Sequence, residues 1–218
     1  MPYKVQILTD KNSWLFKNQN KIPNKYKKYL KNNLLINHLQ IKKNYDITLI
    51  ISYYKIIPKK FLSYSKHNLV IHESDLPNGR GMSPLYWQIL KGKRKITFTL
   101  FECSKNMDDG KYYFKKNFYF GPTLVYEEIK ERQLKCAFEL IDLFLKRYAK
   151  NKYIKDYSQK GKVTYFPKIQ TSFSELNINK TIKSQIDKLR TRDNKNFPAY
   201  ANKIAKAIDK NRIVFLVP

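Results

Sequence analysis

The chain has 218 residues, 42% of them hydrophobic, with 44 Lys and Arg against 17 Asp and Glu for a formal net charge of +27. That length and apolar share suit one self-supporting domain and exclude a disulfide-stapled miniprotein or a disordered chain. Cys103 and Cys136 stand at no metal or redox spacing, which predicts reduced thiols and no metal site. No apolar run reaches the ~20 residues of a membrane span, and the start offers no signal-like segment, so a soluble cytoplasmic protein is expected.

In chain order, YKVQIL (3–8) reads as a buried strand. TDKNSW follows as a turn in which Asp10, Asn12 or Ser13 can cap a helix. IPNKYKKYLKNN (22–33) reads as a polar helix with Tyr26 and Leu30 on its inner face. LLIN (34–37) is a short strand. ITLIISYY (47–54) is a near-continuous apolar run, the kind buried on both faces in a parallel sheet. PKKFLSYS is a short helix opened by a proline, and NLVIH (68–72) is the next strand. SPLYWQILKG (83–92) is a helix with Ser83 at its cap, Pro84 in its first turn and Gly92 at its end, its Tyr86 and Trp87 packing in the core. KITFTLFE (95–102) alternates as a strand, CSKNMDDG is a loop, and KYYFKKNFYF (111–120) is an aromatic strand. Residues 122–150 form the longest helix, with an apolar stripe of Leu124, Ile129, Leu134, Phe138, Ile141 and Leu145. The alternation predicts an α/β fold: a doubly wound, mostly parallel sheet flanked by helices. One domain is expected over 1–150, with an extension over 151–218 that packs on it or closes it.

The basic residues scatter through NKYKKYLKNN, IKKNYD, PKKF, KGKRK and YFKKN. No single segment collects them, and the arginine-rich aromatic signature of an RNA-binding sheet is missing. Solvated lysines in a composition heavy in Lys, Asn, Ile and Tyr account for most of this charge. Nucleic acid is therefore not the expected partner, while the field still concentrates anionic small molecules.

Ligands of doubly wound sheets sit outside the carboxyl ends of the strands. His72 ends its strand, and the Asp108-Asp109-Gly110 turn lies just past the end of another, so both groups are expected to face one crevice. A lone histidine after an apolar strand is usually structural. A histidine and an acid at two strand ends point instead to proton chemistry.

These residues carry a resemblance. VIHESDLPNGRGMSPLYWQILKG, then TFTLFE, then MDDGKYYF resembles the 10-formyltetrahydrofolate-dependent formyltransferases. That family has a strand ending in Asn-x-His, a Leu-Pro turn, an Arg-Gly loop, a Pro-led helix and an Asp-x-Gly loop. His72 matches the histidine, Leu76-Pro77 the turn, Arg80-Gly81 the loop and Asp108 the acid, at the family's usual spacing (108 − 72 = 36). SYYKIIP (52–58) is similar to the loop leading into the folate pocket, and 174–200 to the segment that closes the domain. The resemblance implies a Rossmann-like catalytic domain that moves a formyl group from 10-formyltetrahydrofolate to an amine. His72 would shuttle protons, and Asp108 would orient and charge-stabilise its imidazole. Ile56, Ile57 and Met107 would wall the pterin pocket, and the Arg80-Gly81 backbone would approach the folate closely. Val70 stands where the family has its asparagine, an oxyanion donor whose loss costs ~10²–10³ in rate. Asn106 is the expected substitute, with Ser74 and Asn68 as alternatives.

The wording HESDLPNGRG-SP-W and the short chain look most like the amino-sugar N-formyltransferases of surface-polysaccharide synthesis, implying a nucleotide-linked amino sugar as partner. A methionyl-tRNA enzyme would add a C-terminal barrel, and a glycinamide ribonucleotide enzyme a glycine-rich loop that ILTDKNSW lacks. Lys11 and Asn12, beside a helix N-terminus, and Lys55 would hold the pyrophosphate. The alternatives are a methionyl-tRNA formyltransferase-like enzyme and a weakened homologue acting as a binding protein. The oligomeric state is open, a homodimer being one option.

Overall fold

The computed structural model describes residues 3–30 and 33–201. Its elements are β1 (Val5–Leu8), α1 (Trp14–Lys17), α2 (Asn24–Leu30), β2 (Leu34–Leu35), β3 (Tyr45–Ile50), α3 (Lys59–Leu62), β4 (Ser65–His72), β5 (Arg80–Gly81), α4 (Pro84–Leu90), β6 (Lys95–Glu102), β7 (Tyr112–Tyr119), α5 (Tyr126–Asn151), β8 (Tyr165–Phe166) and α6 (Ile182–Arg190). Six strands form one sheet in the order β2-β1-β3-β4-β6-β7. The first four run parallel, in keeping with the near-continuous apolar run that holds β3. β6 runs antiparallel to β4, and β7 antiparallel to β6.

Strand alternation splits the core in two. Val5, Ile7, Ile47, Leu49 and Leu69 face the layer of α5, where Leu134, Phe138, Ile141 and Phe144 complete the larger cluster. Leu8 and Ile50 face the other way and pack with Leu35, Ile57 and Phe61. The α5 stripe predicted from sequence is buried from Ile129 to Leu145, but Leu124 precedes the helix. The helix starts at Tyr126 because Val125 N–H donates to the Glu128 side chain at 2.9 Å, which closes its first turn.

Two local expectations need correction. Ser83 occupies the cap position of α4 but makes no cap bond; it sits in the left-handed region at φ 53°, and Pro84 opens the helix alone. Tyr86 and Trp87 are half-buried and meet the C-terminal extension instead of the main core: Trp87 packs edge-on against Phe173 at 5.1 Å, and the Arg192 guanidinium lies 4.3 Å from the Tyr86 ring. Further bonds tie the extension down, with Trp87 Nε1 donating to Pro167 O at 2.9 Å and Arg190 Nη1 to Leu124 O at 2.8 Å. The Leu30 side chain and residues 202–218 lie outside the described residues.

Candidate active site

β4 carries Asn68, Val70 and His72 on the face opposite α5, by alternation. His72, at the last position of the strand, is buried to 6% exposure. Its Nε2 lies 2.7 Å from Gly79 O. A carbonyl only accepts, so Nε2 carries the proton and Nδ1 is the basic nitrogen of the neutral ring. Nδ1 faces Asp108 Oδ2 at 3.8 Å. The ring is therefore oriented by Gly79 O, not by Asp108 as the sequence suggested. Asp108 places a carboxylate facing the unprotonated ring nitrogen.

The two residues meet by a route the sequence did not show. β6 is antiparallel, so its carboxyl end at Glu102 pairs with Leu69, midway down β4, and not with the strand end. The loop after it leaves the sheet where Cys103 N–H bonds Asn68 O at 2.7 Å, then climbs the face of β4 to reach His72. Asp108 completes the climb at φ 52°, and its Oδ2 accepts the Gly81 N–H at 2.9 Å. Two glycines permit this closeness. A Cβ on Gly110 would lie 1.7 Å from Glu102 O, and one on Gly81 2.4 Å from Phe166 O.

Charge in the loop is ordered. Burial works against ionisation of Asp109, but hydrogen bonds from Ser104 and Asn106 and the nearby Arg80 charge outweigh it and hold its carboxyl below the usual range. Burial, with Glu102, Asp108 and Asp109 nearby, pushes the Cys103 thiol up to about 12, so no thiolate nucleophile stands here at neutral pH. Among the described residues no cluster of His, Cys, Asp and Glu could hold a metal ion, and no helix is long and apolar enough to cross a membrane.

Residues 6–142, the span that builds most of this sheet and the loops carrying Gly79 and Asp108, match the family described as formyl transferase. The chain belongs to that family. A methionyl-tRNA formyltransferase from Thermosipho melanesiensis is 29% identical over 148 residues, 68% of this chain and 47% of that protein. The chain spans about half the length of the curated relatives it matches. Among solved structures, a methionyl-tRNA formyltransferase from Clostridium thermocellum superposes with a TM-score of 0.72 at 24% identity, covering 91% of this chain and 87% of that one. A 4-N formyltransferase from Francisella tularensis gives 0.65 at 17% identity over 99% and 97%. At those identities the two structures speak for the fold alone.

For a formyl transferase family member, the remaining sequence-derived site residues divide. Ile56 and Met107 are 74% and 53% exposed, on the 52–58 and 103–110 loops, and are free to wall a ligand. Ile57 is not: at 5% exposure it belongs to the smaller core with Leu8 and Phe61. Asn106 is exposed and its Nδ2 donates to Asp109 Oδ2 at 2.6 Å, which commits the amide to its own loop. Val70 is half-buried and packs against the Ile57 cluster, with no amide to offer. Ser74 Oγ, Asn68 Oδ1 and Arg80 Nε are buried without a hydrogen-bond partner. Lys11 and Asn12 are exposed beside α1, but that helix is one turn of four residues. Ser13, not Asn12, is its cap, and Asp10 Oδ1 already accepts the Asn12 N–H at 2.8 Å, so the ground for seating an anion there is lost. Lys55 is exposed on the 52–58 loop.

Sequence reasoning missed a second polar group on the α5 face. Glu73, next after His72, accepts from Gln133 Nε2 at 2.5 Å, and Lys130 Nζ donates to Gln133 Oε1 at 2.9 Å. Burial pulls the Lys130 ammonium below its usual range, with Glu73, Asp193 and Glu127 pulling the other way. These side chains line a cavity of about 40 Å³ with Trp14, Ser52 and Ile71, room for about one water. Lys130 and Gln133 stand at i,i+3 in a helix read only for its apolar stripe.

Proposed function

We propose that the chain transfers a formyl group from 10-formyltetrahydrofolate to a primary amine. The observation that carries this reading is the His72–Asp108 pair, 3.8 Å apart at the end of β4, in a chain of the formyl transferase family. When bound, 10-formyltetrahydrofolate supplies the formyl group. The residues present suit it: exposed Ile56 and Met107 offer apolar walls on two loops, and the unpartnered Asn68 Oδ1 and Arg80 Nε are an acceptor and a donor still to be satisfied.

His72 Nδ1 takes the proton the acceptor nitrogen sheds as its new C–N bond forms. It then hands a proton to the nitrogen that leaves. Asp108 offsets the positive charge on the ring between those two steps, and Gly79 O keeps the ring from turning. Such acid–base work contributes ~10²–10⁴. With Val70 in the place of an amide, the negative charge on the formyl oxygen lacks that donor. Val70→Asn is therefore expected to raise kcat, by up to ~10²–10³-fold, with a modest cost in thermal stability. Steady-state kinetics on the purified variant checks this, and an unchanged kcat means that another donor already serves.

For the acceptor, motif wording in HESDLPNGRG-SP-W supports a nucleotide-linked amino sugar. A second reading, charged initiator tRNA, is favoured by relatives at 24–32% identity that carry the methionyl-tRNA name, and by the net charge of +27. Mass spectrometry decides: the protein and 10-formyltetrahydrofolate are incubated with a panel of nucleotide-linked amino sugars and, separately, with charged initiator tRNA. One added formyl group on a sugar supports the first reading. Formylated tRNA with an unmodified sugar panel supports the second, and no formylation of any amine removes both.

A further inference from the structure

Beyond α5 the chain runs back across the catalytic loops as a strap. Tyr157 exchanges backbone bonds with Tyr112 at 2.8 and 2.9 Å, where β7 begins just after Asp108-Asp109-Gly110. β8 then pairs in parallel with β5, so that Arg80 N–H bonds Thr164 O at 2.9 Å and Met82 N–H bonds Phe166 O at 3.0 Å. Gly79 N–H donates to Thr164 Oγ1 at 2.8 Å. The strap thus touches both loops that build the site: the one holding Gly79, which orients His72, and the one holding Asp108.

Between those anchor points stands Gln159, whose polar atoms are all spent on the site. Its Nε2 donates to Asp108 O at 2.9 Å and to Gly110 O at 2.8 Å. Its Oε1 accepts from Arg80 Nη2 at 2.7 Å. Asp108 and Gly110 flank a turn that holds Asp108 in the left-handed region, a conformation that costs an L-residue free energy unless its surroundings fix it. One primary amide drawing both carbonyls inward is such a restraint. The same side chain ties that turn to Arg80, whose neighbour Gly81 donates its N–H to the Asp108 carboxylate. The 3.8 Å between Asp108 and His72 is therefore set from the strap as well as from the sheet.

We infer that Gln159 is a positioning residue, which acts through Asp108 by holding its turn and the Arg80 loop in one register. The inference rests on the formyl-transfer reading for its kinetic consequence, but its structural consequence does not need that reading. Amide hydrogen exchange separates the two. In Gln159→Ala, the Gly81 amide, held by the Asp108 carboxylate, exchanges about tenfold faster, the effect of losing one hydrogen bond. The Arg80 and Met82 amides, held by Thr164 and Phe166, keep their protection. Turnover falls about 10–100-fold while KM for the folate stays within about threefold.

Gln159→Glu fills the same space and still accepts from Arg80, but has no N–H for the two carbonyls, so the same pattern follows. If Arg80, Gly81 and Met82 lose protection together, Gln159 only anchors the strap and the inference is wrong. It is equally wrong if Gln159→Glu keeps wild-type Gly81 protection. Altered Gly81 protection in a protein that formylates no amine would leave the positioning role standing and remove the formyl-transfer reading.

Discussion

His72→Asn is expected to lower turnover by ~10²–10⁴-fold, equivalent to ~2.7–5.5 kcal/mol of transition-state stabilisation. Asparagine puts a neutral amide where the ring has Nδ1, but it is one atom too short for Gly79 O, the acceptor that His72 Nε2 uses at 2.7 Å. What it lacks is a nitrogen that gains and releases a proton. The position is 6% exposed at the end of a central strand, so a poorer fit would appear first as a lower melting temperature, which is measured alongside. Folate affinity, read by fluorescence titration, is expected to stay within about threefold, because in the proposed mechanism the ring acts on the reacting centre and does not hold the pterin. Near-full turnover at saturating substrate would make the histidine a structural residue and remove the mechanism.

Much of the scaffold that presents this histidine was legible because burial on two faces leaves a strong mark. ITLIISYY and NLVIH read as strands, the first running past the end of β3 at Ile50 and the second starting after β4 begins at Ser65, and the spaced apolar residues of α5 read as a helix. Direction was not legible. KITFTLFE alternates identically whichever way it runs, so the antiparallel course of β6, and with it the climb of the 103–110 loop back to His72, came only with the fold. His72 and the Asp108-Asp109-Gly110 turn stood out because each lies at a strand end, and the resemblance, with its spacing (108 − 72 = 36), picked Asp108 as the acid.

The misplacements have a common cause. Which of Asp10, Asn12 and Ser13 caps α1 depends on local geometry that composition does not fix, and Ser13 prevails by accepting the Phe16 N–H at 3.1 Å. Ile57 looks like a pocket wall in IIP, yet only its neighbour Ile56 turns outward. β5 and β8 are two residues each, too short for any periodicity. A single glutamine such as Gln159 has no pattern at all; its role exists only in the three bonds it makes. These last features lie around the site, where chain segments far apart in sequence converge.

Asp108→Asn isolates the charge at that convergence. Asparagine adopts the left-handed region more readily than most residues, so φ 52° is kept without new strain. Its side-chain oxygen can accept the Gly81 N–H that Asp108 Oδ2 now accepts at 2.9 Å, and the Gln159 bond runs to the backbone carbonyl, which the substitution leaves alone. The loop therefore keeps its path, and one negative charge facing His72 Nδ1 is lost. A carboxylate so close to an imidazolium, in a site shielded from water, stabilises it far more than the same charge would in solvent. Turnover is expected to fall ~10²–10⁴-fold, with the folate KM within about threefold and the melting temperature nearly unchanged. Asp108→Ala removes the Gly81 bond as well and should add a stability loss of ~1 kcal/mol, measured by denaturant titration, to the same kinetic defect. If Asp108→Asn turns over within about threefold of wild type, the charge does not assist proton transfer, and the 3.8 Å approach to His72 serves only to shape the loop.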